Sequence, residues 1–147
     1  MMSKGEQVEY ALEIEGEPAA WCVYTKRGPP PIGFEKMQAW QEQIRAAVIQ
    51  KYGRPLLDHA VTMNVVFYRT LPGPRPKSLA TWERRCNVAL TKRPDRTNLL
   101  KALEDGLIGT LLKDDSVVVA GTTLKWFAMP GTKPRTTVRV IPCLTRS

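Results

Sequence analysis

Lys92-Arg93-Pro94-Asp95-Arg96-Thr97-Asn98-Leu99-Leu100-Lys101-Ala102-Leu103-Glu104-Asp105-Gly106-Leu107-Ile108-Gly109 is the most informative segment of this 147-residue chain. Pro94 ends whatever precedes it, Asp95 or Thr97 can cap a helix, and the helix runs to about Ile108 before Gly109 stops it. At about 100° per residue, Leu99, Leu100, Leu103 and Leu107 fall on one apolar face. Asn98, Lys101 and Asp105 lie within about 60° of one another on the opposite side. An amphipathic helix with converging polar groups is expected. A solvated face carrying an i,i+4 Lys101–Asp105 pair would present the same three residues.

Downstream, Lys113-Asp114-Asp115-Ser116 leads into Val117-Val118-Val119. Val117 to Phe127 and Thr136 to Ile141 are β-rich, and Met129-Pro130-Gly131-Thr132-Lys133-Pro134 between them reads as a hairpin connection. Neighbouring side chains in a strand point to opposite faces, so at most one of Asp114 and Asp115 is expected to share a site with Asp95, the other facing solvent or shaping the turn. Upstream, Val8, Tyr10, Leu12 and Ile14 alternate with Glu9, Ala11, Glu13 and Glu15, the pattern of a half-buried strand. After Gly28-Pro29-Pro30-Pro31, the stretch from Phe34 to Tyr52 sets Met37, Trp40, Ile44, Ala47 and Val48 at helical spacing, and Gly53 with Pro55 ends it. Val61, Met63, Val65 and Phe67 mark a second alternating strand. A loop is expected from Leu71 to Lys92, opening with the stiff, exposed Leu71-Pro72-Gly73-Pro74-Arg75-Pro76-Lys77. Strands mixed with helices define an α+β domain.

The length suits one domain over residues 1–147, and 43% apolar residues can form a core. No run reaches the roughly 18 apolar residues of a membrane-spanning helix, and Met1-Met2-Ser3-Lys4-Gly5-Glu6 lacks the apolar core of a secretory signal, so a cytoplasmic protein is expected. Cys22, Cys86 and Cys143 show no paired metal spacing and are expected as reduced, mostly buried thiols. Lys and Arg number 22 against 14 Asp and Glu, a formal charge of +8, with a pI near 9.7. A polyanionic partner follows, nucleic acid before membrane. Between Arg69 and Arg96 stand eight basic residues against Glu83 and Asp95, an excess of six. Arg75, Lys77, Arg84, Arg85, Lys92, Arg93 and Arg96 are the candidate binding surface. Binding through them should weaken steeply with salt and read backbone and branch shape more than base edges. Trp82 could stack on an unpaired base, but core is the favoured reading. His59, the only histidine, reads as a surface or turn residue rather than a catalyst.

Carboxylates at a helix start and at a strand start can together hold Mg²⁺, which takes oxygen ligands and keeps waters and phosphates in its shell. A lysine beside them can stabilise charge on a phosphodiester. Three segments, Lys92 to Lys101, Glu104-Asp105-Gly106-Leu107 and Lys113 to Val118, resemble the RusA-type Holliday junction resolvases of bacteria and their phages. The resemblance extends more loosely to Arg75-Pro76-Lys77 and the terminal strands, over roughly residues 60 to 142. It implies a small mixed or antiparallel sheet with two or three helices in an intertwined homodimer. It also implies an endodeoxyribonuclease that binds four-way DNA junctions and uses Mg²⁺ or Mn²⁺ to cut two opposing strands symmetrically. No other cofactor is implied, and the setting is recombination, repair or phage DNA processing. By position, Asp95 and Asp115 are metal-coordinating acids, Lys101 the catalytic lysine, Asp105 a further acid on the motif helix, and Asn98 and Asp114 supporting residues. The family carries a second Asp immediately before the motif Asn, where this chain has Thr97. A hydroxyl can ligate metal but brings no negative charge, so a catalytically silent DNA-branch-binding protein stands as the alternative reading. A basic RNA-binding protein is a third.

Overall fold

The structure is a computed structural model that describes residues 8–143. Strand β1 (Tyr10–Glu15) is followed by helix α1 (Ile32–Tyr52), strand β2 (Val61–Arg69), helices α2 (Leu79–Ala89) and α3 (Arg96–Leu107), and strands β3 (Val118–Ala120), β4 (Thr123–Phe127) and β5 (Arg135–Pro142). Three helices on a five-stranded mixed sheet make an α+β fold. None of these helices is long and apolar enough to cross a membrane.

β2 is the centre of the sheet. Its alternating Val61, Met63, Val65 and Phe67 are all buried, as a period of two demands of a strand with one face on a core. One edge pairs antiparallel with β5 from Val61–Pro142 to Tyr68–Arg135, and β5 pairs in turn with β1. The other edge pairs parallel with β3 at Val61 and with β4 from Val65 to Arg69. A parallel neighbour requires a crossover, and α2 and α3 supply it.

The expected C-terminal hairpin is not formed: β4 and β5 lie on opposite edges of β2. The connection crosses the end of β2, tied there by Ala128 N donating to the Arg69 carbonyl and closed by Thr132 N on the Met129 carbonyl. β2 carries the longest inward apolar row, and pairing both its edges leaves it no free edge along most of its length. The expected single run from Val117 to Phe127 is also divided. Gly121, at φ +145°, breaks it so closely against β2 that a Cβ would stand 1.8 Å from the Met63 carbonyl oxygen. Asn64 Oδ1 bridges the break, accepting from Thr122 N at 3.0 Å and Thr122 Oγ1 at 3.1 Å.

The segment from Leu71 to Lys92 is a loop only at its ends. Ser78 Oγ accepts from Thr81 N at 3.2 Å and caps α2, an S-x-x-T start overlooked among the surrounding prolines and arginines. Trp82 and Cys86 of α2 bury against Phe127, with Leu71, Ala89 and Leu90 around them. The main core joins Leu12 and Ile14, Met37, Trp40, Ile44 and Val48 of α1, the β2 row, Leu99, Ala102, Leu103 and Leu107 of α3, and Val138 and Val140 of β5. Full burial of each Val, Leu, Ile, Met or Phe side chain among them contributes about 1.5–3 kcal/mol. Cys86 alone of the three cysteines is buried; Cys22 and Cys143 are half-buried, and all three are free thiols.

Gly121→Ala tests the β3–β4 break. The methyl group meets backbone rather than a movable side chain, so the substitution is expected to cost about 3 kcal/mol, read as a lowered urea midpoint.

Candidate functional site

Asp95 is the N-cap of α3. Its carbonyl accepts from Leu99 N at 3.1 Å, but its carboxylate makes no capping hydrogen bond. An N-cap aspartate ordinarily uses that carboxylate on the first-turn amides; here it is left for another partner beside the positive end of the helix. The turn before it, which contains a cis Arg93–Pro94 bond, is pinned by β4. Lys125 Nζ donates to the Lys92 carbonyl at 2.9 Å and the Pro94 carbonyl at 3.1 Å. Burial, with Arg69 close by, pulls the Lys125 ammonium below its ordinary pKa, while Asp95 acts in the opposite sense. Arg96 Nη1 reaches the Thr123 carbonyl at 3.3 Å. Between this helix start and the β3–β4 break lies a cleft of about 380 Å³, lined by Arg96, Thr97, Leu100 and residues 121–124.

Further along α3, Lys101 directs its ammonium onto the ring of Trp21, 3.5 Å from the centroid. Trp21 N donates to the Asn98 carbonyl at 3.0 Å, so the segment between β1 and α1 is fixed against the exposed side of the motif helix. Arg45 of α1 reaches the Asp105 carbonyl at 3.4 Å.

Asp114 and Asp115 do not enter a strand. Residues Asp115–Val117 form a 3₁₀ turn capped by Asp114, so strand alternation does not govern them. Asp114 Oδ1 accepts from Asp115 N and Oδ2 from Ser116 Oγ, each at 2.9 Å. The Ser116 hydroxyl first, then the Asp115 amide, hold its carboxyl below the usual range. Asp114 thus spends itself on the turn and leaves Asp115 to project. Asp115 is felt by Glu104, whose half-buried carboxyl is pushed up by burial and then by Asp115 and Asp105. Glu104 is the residue the sequence reading left without a role. The signal for it was the i, i+4, i+7 spacing of Thr97, Lys101 and Glu104, which sets all three within about 60° on the helix.

Among the described residues no three His, Cys, Asp or Glu side chains gather as a metal cage. Asp95, Asp105 and Asp115 therefore do not form one cluster. Asp95 precedes the first turn of α3 and Asp105 lies in its last, about 15 Å away along the axis at about 1.5 Å per residue.

The basic residues divide by what their donors reach. Arg85 turns its guanidinium onto the Pro72 and Pro74 carbonyls and staples the proline-rich loop. Arg84 donates to Thr81 Oγ1. Arg75, Lys77, Lys92 and Arg93 are exposed, and their side chains make no hydrogen bond or ion pair among the described residues. His59 is exposed beside its neighbour's carbonyl, and Trp82 is core.

The start of α3 thus presents an uncommitted carboxylate near exposed cations without hydrogen-bond or ion-pair partners among the described residues. The family model described as endodeoxyribonuclease RusA matches residues 24–141, and the chain belongs to that family, whose general activity is the resolution of Holliday junctions. Comparison with curated proteins finds none that matches.

Glu104 supplies a pH test. A carboxyl whose pKa is raised by folding weighs on the native state once pH exceeds its ordinary 4.5, and the penalty vanishes below that value. In metal-free buffer Glu104→Gln is expected to melt above the parent at pH 7 and level with it at pH 3.5, as followed by circular dichroism.

Proposed function

We propose that this chain is a divalent-metal-dependent endodeoxyribonuclease that resolves four-way DNA junctions by paired, symmetric incisions, acting as a homodimer in the cytoplasm. Family membership supports the substrate class. The observation that carries the chemistry is the uncapped Asp95 carboxylate at the start of α3, with Lys92 and Arg93 before it and Lys101 two turns on.

The donor set is all oxygen: the carboxylates of Asp95 and Asp115 and the hydroxyl of Thr97. That is the chemistry Mg²⁺ or Mn²⁺ takes, and Mg²⁺ commonly uses one or two protein carboxylates while phosphate and water complete its shell. Fewer than three gathered acids are thus compatible with it. When bound, the metal supplies a Lewis acid for the phosphodiester and a lowered pKa for an attacking water. Lys101 offsets charge that builds on the phosphate. Arg75, Lys77, Lys92 and Arg93 hold the backbone in register, and Arg84 and Arg96 contribute charge from the adjoining helices. Two-fold symmetry in the enzyme offers two equivalent sites to a junction with two equivalent strands. A junction-binding protein without cleavage is the second reading, favoured by Thr97 and by the absence of a three-acid group among the described residues.

The test is cleavage of an end-labelled four-way junction in Mg²⁺ or Mn²⁺ against EDTA, beside a linear duplex of matching sequence. Metal-dependent paired nicks confined to the junction are expected. Asp115→Asn should lower the rate at least about 100-fold and leave junction binding equal or tighter, because a charge that repels phosphate is gone. Binding lost together with cleavage counts against this role for Asp115. A parent that binds without nicking, and a Thr97→Asp variant that nicks, would establish the second reading.

A further inference from the structure

Lys101 has an acidic neighbour at helical spacing, Asp105, yet its ammonium sits on Trp21, 3.5 Å from the ring centroid. The choice matters chemically. A carboxylate partner would cancel the positive charge and compete with a phosphate oxygen for the same N–H donors. An indole face attracts the cation through its quadrupole, best of the aromatic rings, and leaves the charge uncancelled.

The ring stands on a rigid support. Trp21 N is bonded to the Asn98 carbonyl, and Cys22 N to Met37 Sδ at 3.2 Å. Upstream, both Glu17 carboxylate oxygens accept from Thr70 N, at 2.9 and 3.1 Å, tying the segment to the end of β2. Ala19, Ala20, Trp21 and Cys22 pack against the main core. The segment is thus fastened to α3, to α1 and to the sheet. Trp21 lies three residues before the family-matched residues 24–141.

We propose that Trp21 is a positioning residue for Lys101, its indole face holding the ammonium aimed at the scissile phosphodiester before DNA arrives. This rests on the reading of Lys101 as the phosphate-facing lysine. Lysine carries a flexible four-carbon stem, and a reacting group already held in its productive direction does not lose that freedom during the reaction. The effect therefore falls on the cleavage step rather than on binding.

Two measurements test it on the full chain. The first is trace acetylation of lysines with acetic anhydride in metal-free, DNA-free protein, with Lys101 and the exposed Lys77 quantified by mass spectrometry. The second is single-turnover cleavage of a four-way junction beside its dissociation constant. In Trp21→Leu, which keeps apolar bulk without a π face, Lys101 acetylation should rise at least threefold toward the Lys77 value. The cleavage rate should fall about tenfold, with the dissociation constant within twofold of the parent. Trp21→Phe should recover part of both effects, and it carries the test if the leucine variant loses its helical circular dichroism. Unchanged acetylation, or a loss confined to binding, overturns the proposal, as does a phenylalanine variant no better than leucine. Lys101→Ala cleaving like the parent overturns the reading of Lys101 and the proposal with it. Lys101→Ala inactive beside a fully active Trp21→Leu overturns the proposal alone.

Discussion

Helix α3 packs closely against α1 at Gly106, where a Cβ would stand 3.2 Å from Ile44 Cδ1 and 3.4 Å from Gln41 Cα. At the same contact the buried Gln41 amide donates to the Ala102 carbonyl at 3.0 Å. A buried donor left without its acceptor costs about 1–3 kcal/mol, so the two helices are held in one relative position. Everything on the exposed side of α3 inherits that position. Asp95 at its start, Lys101 in its middle and Glu104 near its end are directed by a helix whose opposite face is fully committed to the core.

The sheet organises the charge. On the β1–β5 side, Glu13 pairs with Arg135 at 3.4 Å and Glu9 with Arg139, and Arg135 also covers the Tyr68 ring at 4.0 Å. Those cations are locally matched. Across β2, the proline-rich loop and the turn before α3 carry cations with no acidic partner among the described residues, and Arg85 donates to the loop's Pro72 and Pro74 carbonyls. Arg75, Lys77, Lys92 and Arg93 are thus exposed cations without an ion-pair partner among the described residues.

The elements legible in the sequence were those whose own periodicity meets a single core. β2, α1 and α3 stand within a residue or two of the stretches their apolar spacing marks, because the same Val, Ile and Leu positions that set the period are the ones buried. What escaped were features set by competition between segments. α2 is hidden in a stretch dominated by breakers and charge, and its apolar anchors, Trp82 and Cys86, are too few to show a period. The terminal hairpin was the local choice for β4 and β5, and it lost to the gain from pairing both edges of β2. Asp114 and Asp115 were read by strand rules, whereas a capped 3₁₀ turn separates their roles.

The composition of the candidate site is legible along the chain: a carboxylate at a helix start, a lysine two turns on, a pair of aspartates further along, and an excess of cations before them. Local spacing and chemistry suffice for that, since helix periodicity and capping act over a few residues. Which of these groups keep company is set by how the elements pack. Asp105 is separated from Asp95 by most of the length of the helix, and the Glu104 carboxyl is raised by burial and by Asp115 and Asp105 near it. Lys101 meets an indole brought from eighty residues away, and Arg85 donates to the Pro72 and Pro74 carbonyls of the loop. Such pairings depend on where the chain returns after crossing the core, a long-range packing outcome that no short stretch encodes.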